Sequence, residues 1–402
     1  MFLMLLCAIS GIAQRKGYTY DFYGFVRGES YVNSRQNTDA VDGLFYLLPN
    51  DIRLDAAGKD LNATPSGSYY TFTTRLGMNI KGPDIGKARS SARIETDFGG
   101  TTGLYFVLRL RQAYVKLDWE SGSSVLLGQT WHPFFGDVAP NVLNLATGAP
   151  FQPFNRSPML QYQFAKNGWK FRSSAVYQLV YLSIGPSGKT EDYMKNGILP
   201  ELCIGLDYSR GGFIAGAGAA LLSLKPRLQS VVDGSTYLVN ERVNSLSYEA
   251  HAQYKQGLLT LAGKTILASN MNHTALLGGY GVSAVDNATG EQEYTPFRHS
   301  TSWINVTYGD KWLGGLYGGF TKNLGTGRAL VDASKIYGMG MNIDKLLMLS
   351  AQFGYNLPHW KLGAEYQVST AAYGSINLAD GKVIDTHDVT NHRILAVFMY
   401  YF

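Results

Sequence analysis

The chain has 402 residues, of which 16% are charged and 13% are aromatic, and its formal net charge is +5. Soluble domains usually carry about 25% charged residues, so this composition argues against helical bundles and charge-rich disordered tails. The small positive excess contains no Lys/Arg run, so nucleic acid is not expected as a partner.

Residues 1–13 predict a cleaved secretory signal, since the run MFLMLLCAIS is apolar and Gly11-Ile12-Ala13 is a small-x-small pattern before Gln14. Cys7 falls within this leader, where a lipoprotein attachment site is the alternative. Cleavage would leave Cys203 as the one thiol and no internal disulfide. No later stretch has 18 consecutive apolar residues. An exported chain of this kind is a secreted protein, a periplasmic protein or an outer-membrane barrel.

Residues 14–402 form the predicted barrel. From Tyr18 onward, apolar and polar side chains alternate with a period of two, which is typical of β-strands with one face in lipid and one in water. The strongest alternating segments begin at Tyr69, Ala92, Trp169, Glu201, Leu246, Trp360 and Asn391. In residues 106–119 the apolar face shifts by one residue between Leu110 and Ala113. This shift indicates either a β-bulge or a strand at a subunit interface.

The connections between these segments alternate in length. The short ones are Gly82–Lys87, Glu120–Ser123, Ala165–Gly168, Ser209–Gly212, Gln256-Gly257, Gly309-Asp310 and Asn356–His359. The long ones include Val32–Gly67, His132–Ser157, Val180–Leu199, Pro226–Val243, Asn270–Phe297, Gly325–Asp344 and Ala371–Thr390. Short periplasmic turns and long outer loops are typical of outer-membrane barrels. We therefore predict an all-β fold, a closed antiparallel transmembrane β-barrel of about 16 strands, integral to the bacterial outer membrane and in contact with lipid and lipopolysaccharide.

Charged side chains on the polar faces are expected to line the lumen, because an arginine facing lipid at mid-depth costs about 2–4 kcal/mol. The predicted pore-lining residues are Arg27, Arg75, Arg93, Arg109, Arg111, Arg172, Glu95 and Asp97. The arginines form a path for small anions, or they pair with lumen carboxylates and brace the wall. The carboxylates available for such pairs are Asp21, Glu29, Glu95, Asp97, Glu249 and Glu365.

The third long loop, residues 132–157, is rich in Pro and aromatic residues and nearly uncharged. A loop that projected into solvent would be more polar, so we expect this one to fold into the barrel and narrow it; a cap over the outer rim is the alternative. The predicted constriction residues are His132, Asp137, Asn155 and Arg156.

Catalytic and metal-binding patterns are sparse. No G-x-S-x-G, H-E-x-x-H or P-loop pattern occurs, and the Asp385–His392 segment, DTHDVTNH, matches no dedicated metal-ligand spacing. We therefore expect no cofactor, no metal and no enzymatic activity. The alternatives are an outer-membrane barrel hydrolase and a surface receptor or adhesin.

The last strand ends on Phe398, Tyr400 and Phe402 on one face, which resembles the assembly signal of outer-membrane barrels. The segments LRLRQAYVKL (108–117), LLGQTWHPF (126–134) and GGFTKNLGTG (318–327) resemble the DcaP-like group of Gram-negative porins. The resemblance implies a 16-stranded homotrimeric porin whose arginine-bearing channel passes small, often anionic solutes. Arg109 and Arg111 match that group's strand pattern, and the loop from His132 matches the position of its constriction. No coiled-coil segment like that of some members precedes the first strand.

Overall fold

The structure is a computed structural model that describes residues 17–99 and 107–402. The predicted signal, residues 1–13, lies outside the described residues. The described residues form sixteen wall strands in one antiparallel sheet. In chain order these are β1 Thr19–Asn33, β2 Ser66–Tyr70 with Arg75–Lys81, β3 Ala88–Asp97, β4 Arg109–Trp119, β5 Ser123–Trp131, β6 Arg156–Lys166, β7 Trp169–Val176, β8 Glu201–Arg210, β9 Phe213–Leu224, β10 Val243–Gln256, β11 Leu259–Ser269, β12 Gln292–Gly309, β13 Trp312–Thr326, β14 Ile343–Asn356, β15 Trp360–Ile376 and β16 Val383–Tyr401.

The sheet closes because β1 pairs with both β2 and β16. The β1–β16 ladder runs from Phe25 opposite Tyr401 to Asn33 opposite Arg393. A closed sheet leaves no strand edge, so the wall pairs its backbone groups internally and can lie in lipid. The predicted closed antiparallel barrel of about 16 strands is confirmed.

Side chains alternate across the wall as the sequence predicted. On β8, Leu202, Ile204 and Leu206 face outward and are 52%, 56% and 49% exposed, whereas Glu201 and Asp207 are buried inside. An apolar outer surface and a polar inner surface match a lipid exterior and a wet interior. A closed barrel with this surface is an integral protein of the bacterial outer membrane. In the described part of the chain, no helix is long and apolar enough to span a membrane.

Short turns join the strands at one end of the barrel, which we call the turn end, and longer loops join them at the other, the loop end. The loops are L1 (34–65), L2 (98–108, of which 100–106 lie outside the described residues), L3 (132–155), L4 (177–200), L5 (225–242), L6 (270–291), L7 (327–342) and L8 (377–382). Some loops carry short elements: strands Asn37–Ala40 and Phe45–Pro49 in L1, Ile184–Gly185, Gly188–Lys189 and helix α1 (Asp192–Gly197) in L4, Gln229–Val232 and Ser235–Leu238 in L5, the 3-10 turn Asn272–Thr274 and strand Gly278–Val285 in L6, and the 3-10 turn Ala333–Lys335 and strand Ile336–Met339 in L7.

One predicted long connection is wrong. Residues 371–390 were expected to form a loop, but β15 continues to Ile376 and β16 begins at Val383, so L8 has only residues 377–382. The two strands extend together as a ladder in which Ala372 lies opposite Asp388. Polar residues such as Thr386 and His387 interrupt the alternation of apolar and polar side chains in this extension. The sequence pattern therefore does not predict a strand there.

The predicted face of the second strand is also wrong in part. Period-two alternation in the segment that begins at Tyr69 predicts that Tyr70 and Leu76, which are six residues apart, share one face. In the structure Tyr70 lies opposite Glu29 and Arg75 opposite Phe25, so five residue steps on β2 face four on β1. The extra residue, together with the break at 71–74, reverses the face.

The predicted irregularity in residues 106–119 is a β-bulge. Glu95 on β3 lies opposite Gln112, and the next residue, Thr96, lies opposite Leu110. Arg111 is therefore the extra residue of β4, and both Arg111 and Gln112 are buried inside the barrel. The bulge directs two consecutive polar side chains inward, which a regular strand cannot do.

Candidate pore constriction

L3 lies against the inner face of the wall on the side opposite its own strands. Tyr317 on β13 donates its hydroxyl hydrogen to the Gly148 carbonyl at 2.9 Å, and Trp303 Nε1 on β12 donates to Gln152 Oε1 at 2.9 Å. The Leu143 amide of L3 donates to Glu365 Oε2 on β15 at 2.7 Å. These contacts run across strands β12 to β15, so L3 spans the lumen.

The near side of L3 is held by a lysine. Lys264 on β11 donates to the carbonyls of Phe134 and Phe135 at 2.7 and 2.8 Å. Phe134, Phe151 and Phe154 are buried, where they pack against the wall and against L1. The aromatic content of L3 therefore forms an apolar core inside the lumen.

A cavity of ≈ 300 Å³ lies between L3 and the wall, and we call it the eyelet. The wall side of the eyelet carries five cationic side chains, and the L3 side is mostly apolar. The cations are Arg27, Arg75, Arg109, Arg111 and Lys361. The aromatic lining residues are Phe25, Phe45, Trp131, Phe135, Phe154, Tyr181 and Tyr401. Among the described residues that line the eyelet, none is a carboxylate.

The partner carboxylates lie behind these cations. Arg109 binds Asp97 through Nε and Nη2, each 2.9 Å from a carboxylate oxygen. Arg111 donates to Glu95 at 2.8 Å and to Asp97 at 2.6 Å. Arg75 is 3.8 Å from Glu95. Both carboxylates are buried. These arginines therefore pair with lumen carboxylates, as the wall-bracing alternative expects. The same arginine side chains also line the eyelet.

A second charged group supports the eyelet from β1 and β15. Arg27 forms an ion pair with the buried Glu29 and donates to the Leu143 carbonyl of L3 at 2.6 Å. Thr73 donates to the other oxygen of Glu29 at 2.8 Å. Arg27 therefore bridges the wall and the constriction loop. Lys361 on β15 lines the same cavity without a close ion pair in the described part of the chain.

The remaining predicted arginines lie elsewhere in the lumen. Arg172 on β7 pairs with Asp207 at 2.9 Å, close to Asp137 of L3, which itself pairs with Lys170. Arg93 on β3 donates to Asn79 at 2.8 Å, towards the turn end. Neither Arg93 nor Arg172 lines the eyelet.

Of the predicted constriction residues, three are buried where L3 joins the wall. His132 and His273 of L6 both contact Glu201 Oε2, at 3.2 and 2.9 Å. Asn155 donates to the His273 carbonyl at 2.6 Å. These contacts tie both ends of L3 to L6. Arg156 is fully buried and stacks on aromatic rings, with its Cζ 4.7 Å from the Trp131 ring centroid.

Several eyelet residues carry no signal in the sequence that would place them there. Lys361 stood on a polar strand face but carried no signal that placed it near the arginines. Trp131 and Tyr181 line the eyelet from β5 and L4, and only the tertiary structure brings them there. Burial raises the pKa of the Tyr181 phenol, so this residue contributes a neutral hydroxyl beside the cations.

Sequence comparison finds no matching family model and no matching curated protein. Structural comparison finds an outer-membrane channel, a further outer-membrane protein and a porin. The outer membrane channel DcaP of Acinetobacter baumannii matches with a TM-score of 0.70 at 18% identity, over 97% of this chain and 99% of that one. OmpT of Vibrio cholerae matches with a TM-score of 0.57 at 10% identity, over 97% and 100%. The anion-selective porin from Comamonas acidovorans matches with a TM-score of 0.54 at 13% identity, over 96% and 100%.

The closed sixteen-stranded wall and the loop across its lumen define the fold class of outer-membrane porins. Within that class the chain has the fold of the DcaP channel, which confirms the predicted resemblance at the level of fold. At these identities the likeness concerns the fold alone.

Proposed function

We propose that this protein is a porin through which small hydrophilic anions diffuse passively. The observation that carries the proposal is the layered charge at the eyelet: cations line the cavity, and their carboxylate partners are buried behind them. A permeating solute therefore meets guanidinium groups first. In a narrow cavity whose opposite side is mostly apolar, the field of such groups acts at short range and raises the local concentration of anions.

The alternative hypotheses are less well supported. A barrel hydrolase needs an activated nucleophile next to a base, whereas the charged groups among the described residues that line the eyelet are all cations. A receptor or adhesin would depend on the loops and not on the lumen. The anion-selective porin from Comamonas acidovorans has a similar fold, and this similarity is consistent with the proposal.

Reconstitution into a planar bilayer tests the proposal. We expect stepwise conductance increases from the purified protein. The double variant Arg109→Glu/Arg111→Glu should shift the reversal potential towards cation preference. Arg328→Glu is a matched control, because Arg328 lies on L7 and its side chain is 63% exposed. Absence of conductance steps would contradict the channel hypothesis, and an unchanged reversal potential in the double variant would contradict the role of the eyelet arginines.

We further propose that three copies assemble in the membrane, as the resemblance to DcaP-like porins implies, with lipid and lipopolysaccharide around the trimer. Cross-linking in membranes and native mass spectrometry of the purified protein should give a trimer with bound lipid. A monomer at all concentrations would contradict this assembly.

We also propose that residues 1–13 are removed on export. Mass spectrometry of the mature protein should then find Gln14 as the first residue. Retention of residues before Gln14 would contradict the predicted cleavage site.

A further inference from the structure

Three cationic side chains lie on the outer surface of the wall on adjacent strands. They are Arg298 on β12, Lys322 on β13 and Lys345 on β14. Lys322 lies directly opposite Lys345 in the β13–β14 ladder, and two residues further along this ladder Phe320 lies opposite Leu347. Phe320 and Leu347 are 43% and 42% exposed, so this face of the ladder points outward. The two lysines therefore face the surroundings of the barrel and not its lumen.

Arg298 faces outward as well. In the regular β11–β12 ladder Arg298 lies opposite Ser269, and Ile304, further along β12, is 61% exposed on the outer surface. Residues an even number of steps apart on a strand share a face. Arg298 is itself exposed, and Ser300, the next residue on this face, lies opposite Lys322 of β13. The three cations therefore form one surface, which we call the basic patch.

The basic patch lies at the level of the outer head groups. Tyr308 and Trp312, which are 62% and 58% exposed, mark the turn end of β12 and β13. By their numbers, Arg298 lies ten residues from Tyr308 and Lys322 lies ten residues from Trp312, both towards the loop end. Ten residues extend about 33 Å along a strand, which corresponds to about 25 Å across the membrane at a tilt of about 40°. An outer-membrane barrel has an apolar band of about this height, so the basic patch lies at its upper border.

The basic patch carries an excess of positive charge. The Lys322 ammonium donates to both oxygens of Asp344, each at 2.6 Å. In the described part of the chain, neither Arg298 nor Lys345 has an ion pair or a side-chain hydrogen bond. Like charges directly opposite each other in a ladder destabilise the sheet, and this applies to Lys322 and Lys345. An anionic group bound between them would replace this repulsion by two attractions.

We propose that the basic patch is a discrete binding site for the phosphate groups of lipid A, the membrane anchor of lipopolysaccharide, with one lipid A held on each copy of the chain. Guanidinium and ammonium groups donate charge-assisted hydrogen bonds to phosphate, and Arg298 and Lys345 have their donors free for this purpose. The acyl chains of the same lipid would cover the outward side chains of Phe320 and Leu347 below the patch. The site lies outside the lumen, so it does not depend on the proposed function.

Native mass spectrometry of the purified protein in detergent, titrated with diphosphoryl lipid A, tests the site. In the wild type we expect one lipid A to bind per copy of the chain. The double variant Arg298→Gln/Lys345→Gln keeps the Lys322–Asp344 pair and removes the two cations without partners. It should raise the dissociation constant of lipid A about tenfold or more, the equivalent of one lost hydrogen bond to a charged group. Its reversal potential in a planar bilayer should equal that of the wild type, because the basic patch lies outside the lumen.

The matched control is Lys195→Gln/Arg328→Gln, which also removes one lysine and one arginine. Lys195 lies on L4 and Arg328 on L7, and their side chains are 59% and 63% exposed. The shift in mobility of unheated protein on gels verifies that each variant folds. An unchanged affinity in Arg298→Gln/Lys345→Gln would overturn the site. An equal loss of affinity in both double variants would also overturn it, because the attraction would then come from the overall charge of the protein.

Three further ligands identify what the basic patch recognises. Dephosphorylated lipid A and phosphatidylglycerol should each bind at least tenfold more weakly than diphosphoryl lipid A. Equal binding of dephosphorylated lipid A would overturn the role of the phosphates. Equal binding of phosphatidylglycerol would assign the basic patch to anionic phospholipids in general and overturn the site for lipid A. Displacement of lipid A by an equimolar amount of inorganic phosphate would assign it to the free ion and overturn it as well.

Discussion

Arg109 and Asp97 face each other across β3 and β4 as a bidentate ion pair, with two nitrogen–oxygen distances of 2.9 Å. Arg111 adds a third hydrogen bond to the same carboxylate at 2.6 Å. The bulge at Arg111 allows this arrangement, because it turns Arg111 and Gln112 to the same side of the wall. One carboxylate therefore holds two of the five eyelet cations in position.

Asp97→Asn should make the pore more anion-selective and the barrel less stable. The substitution removes a negative charge behind the eyelet while both arginines stay. It also leaves Arg109 without its carboxylate and Arg111 with Glu95 alone, and breaking a buried ion pair costs about 3–5 kcal/mol. We expect a more anion-selective reversal potential together with a lower free energy of unfolding. The control is Asp118→Asn on β4, because Asp118 is partly exposed and its substitution should change neither the reversal potential nor the free energy of unfolding appreciably. Unaltered selectivity in Asp97→Asn would contradict the electrostatic role of Asp97.

Deletion of Arg111 should be tolerated, because the bulge contains one residue more than the ladder needs. Without Arg111, Gln112 stays opposite Glu95 and Leu110 stays opposite Thr96, so every other side chain of β4 keeps its face. We expect the deletion variant to fold to the same yield as Arg111→Ala when refolded into detergent micelles.

Deletion of Val115 provides the control for this prediction. Val115 lies in the regular part of β4, opposite Ala92. Its removal would move the outward residues on one side of the deletion to the lumen face. Loss of the folded barrel in the Arg111 deletion but not in Arg111→Ala would show that the bulge itself is needed for folding.

The anchors of L3 should limit the conductance. Trp303→Phe and Tyr317→Phe each remove one buried hydrogen bond to L3, worth about 1 kcal/mol. The double variant should show a larger and noisier single-channel conductance, because L3 is less firmly held against β12 and β13. Tyr308→Phe, on the lipid-facing side and 62% exposed, is the control. A conductance identical to the wild type would mean that L3 does not set the width of the pore.

The part of L1 around Asp60 should loosen in acid. Asp60 accepts the amide hydrogens of Arg53 and Asn62 at 3.0 and 2.9 Å and contacts Arg35 at 3.1 Å. The hydrogen bond from Arg53 is the main cause that lowers the pKa of Asp60 from its ordinary value of 3.8. The stabilisation is therefore fully present above pH 3.8 and is lost as the pH falls through the lower folded-state pKa.

Amide hydrogen exchange at Arg53 and Asn62 measures this effect. After correction for intrinsic exchange, protection should persist above pH 3.8 and decrease below it. Asp60→Asn cannot titrate, so its residual protection should not change over this range. The same pH-dependent loss in Asp60→Asn would assign the effect to another group.

The wall could be predicted from sequence because every strand in lipid has to place apolar side chains at alternate positions. Leu202, Ile204 and Leu206 alternate with polar neighbours, and the structure exposes them as expected. The rule fails where lipid does not act, as in the extension of β15 and β16 around Asp388. It also fails at Tyr70 to Arg75, because Tyr, Phe and Thr are tolerated on both faces and the extra residue leaves no trace in the pattern.

The eyelet could be predicted only in part. The inward orientation of Arg109 and Arg111 follows from alternation and from the irregularity of β4. Their shared partner, Asp97, depends on cross-strand register, which the pattern of one strand does not contain. Lys361 is 250 residues further along the chain from Arg111 by their numbers and reaches the same cavity only because the sheet closes.

The most direct test of the central claim is the zero-current reversal potential of wild-type protein in a planar bilayer under a KCl gradient. The account predicts a potential whose sign shows preferential permeation of chloride, and a smaller magnitude at high salt, where the charges of the eyelet are screened. A reversal potential that shows preference for potassium would contradict the proposal that the eyelet arginines and Lys361, and not the carboxylates behind them, control permeation.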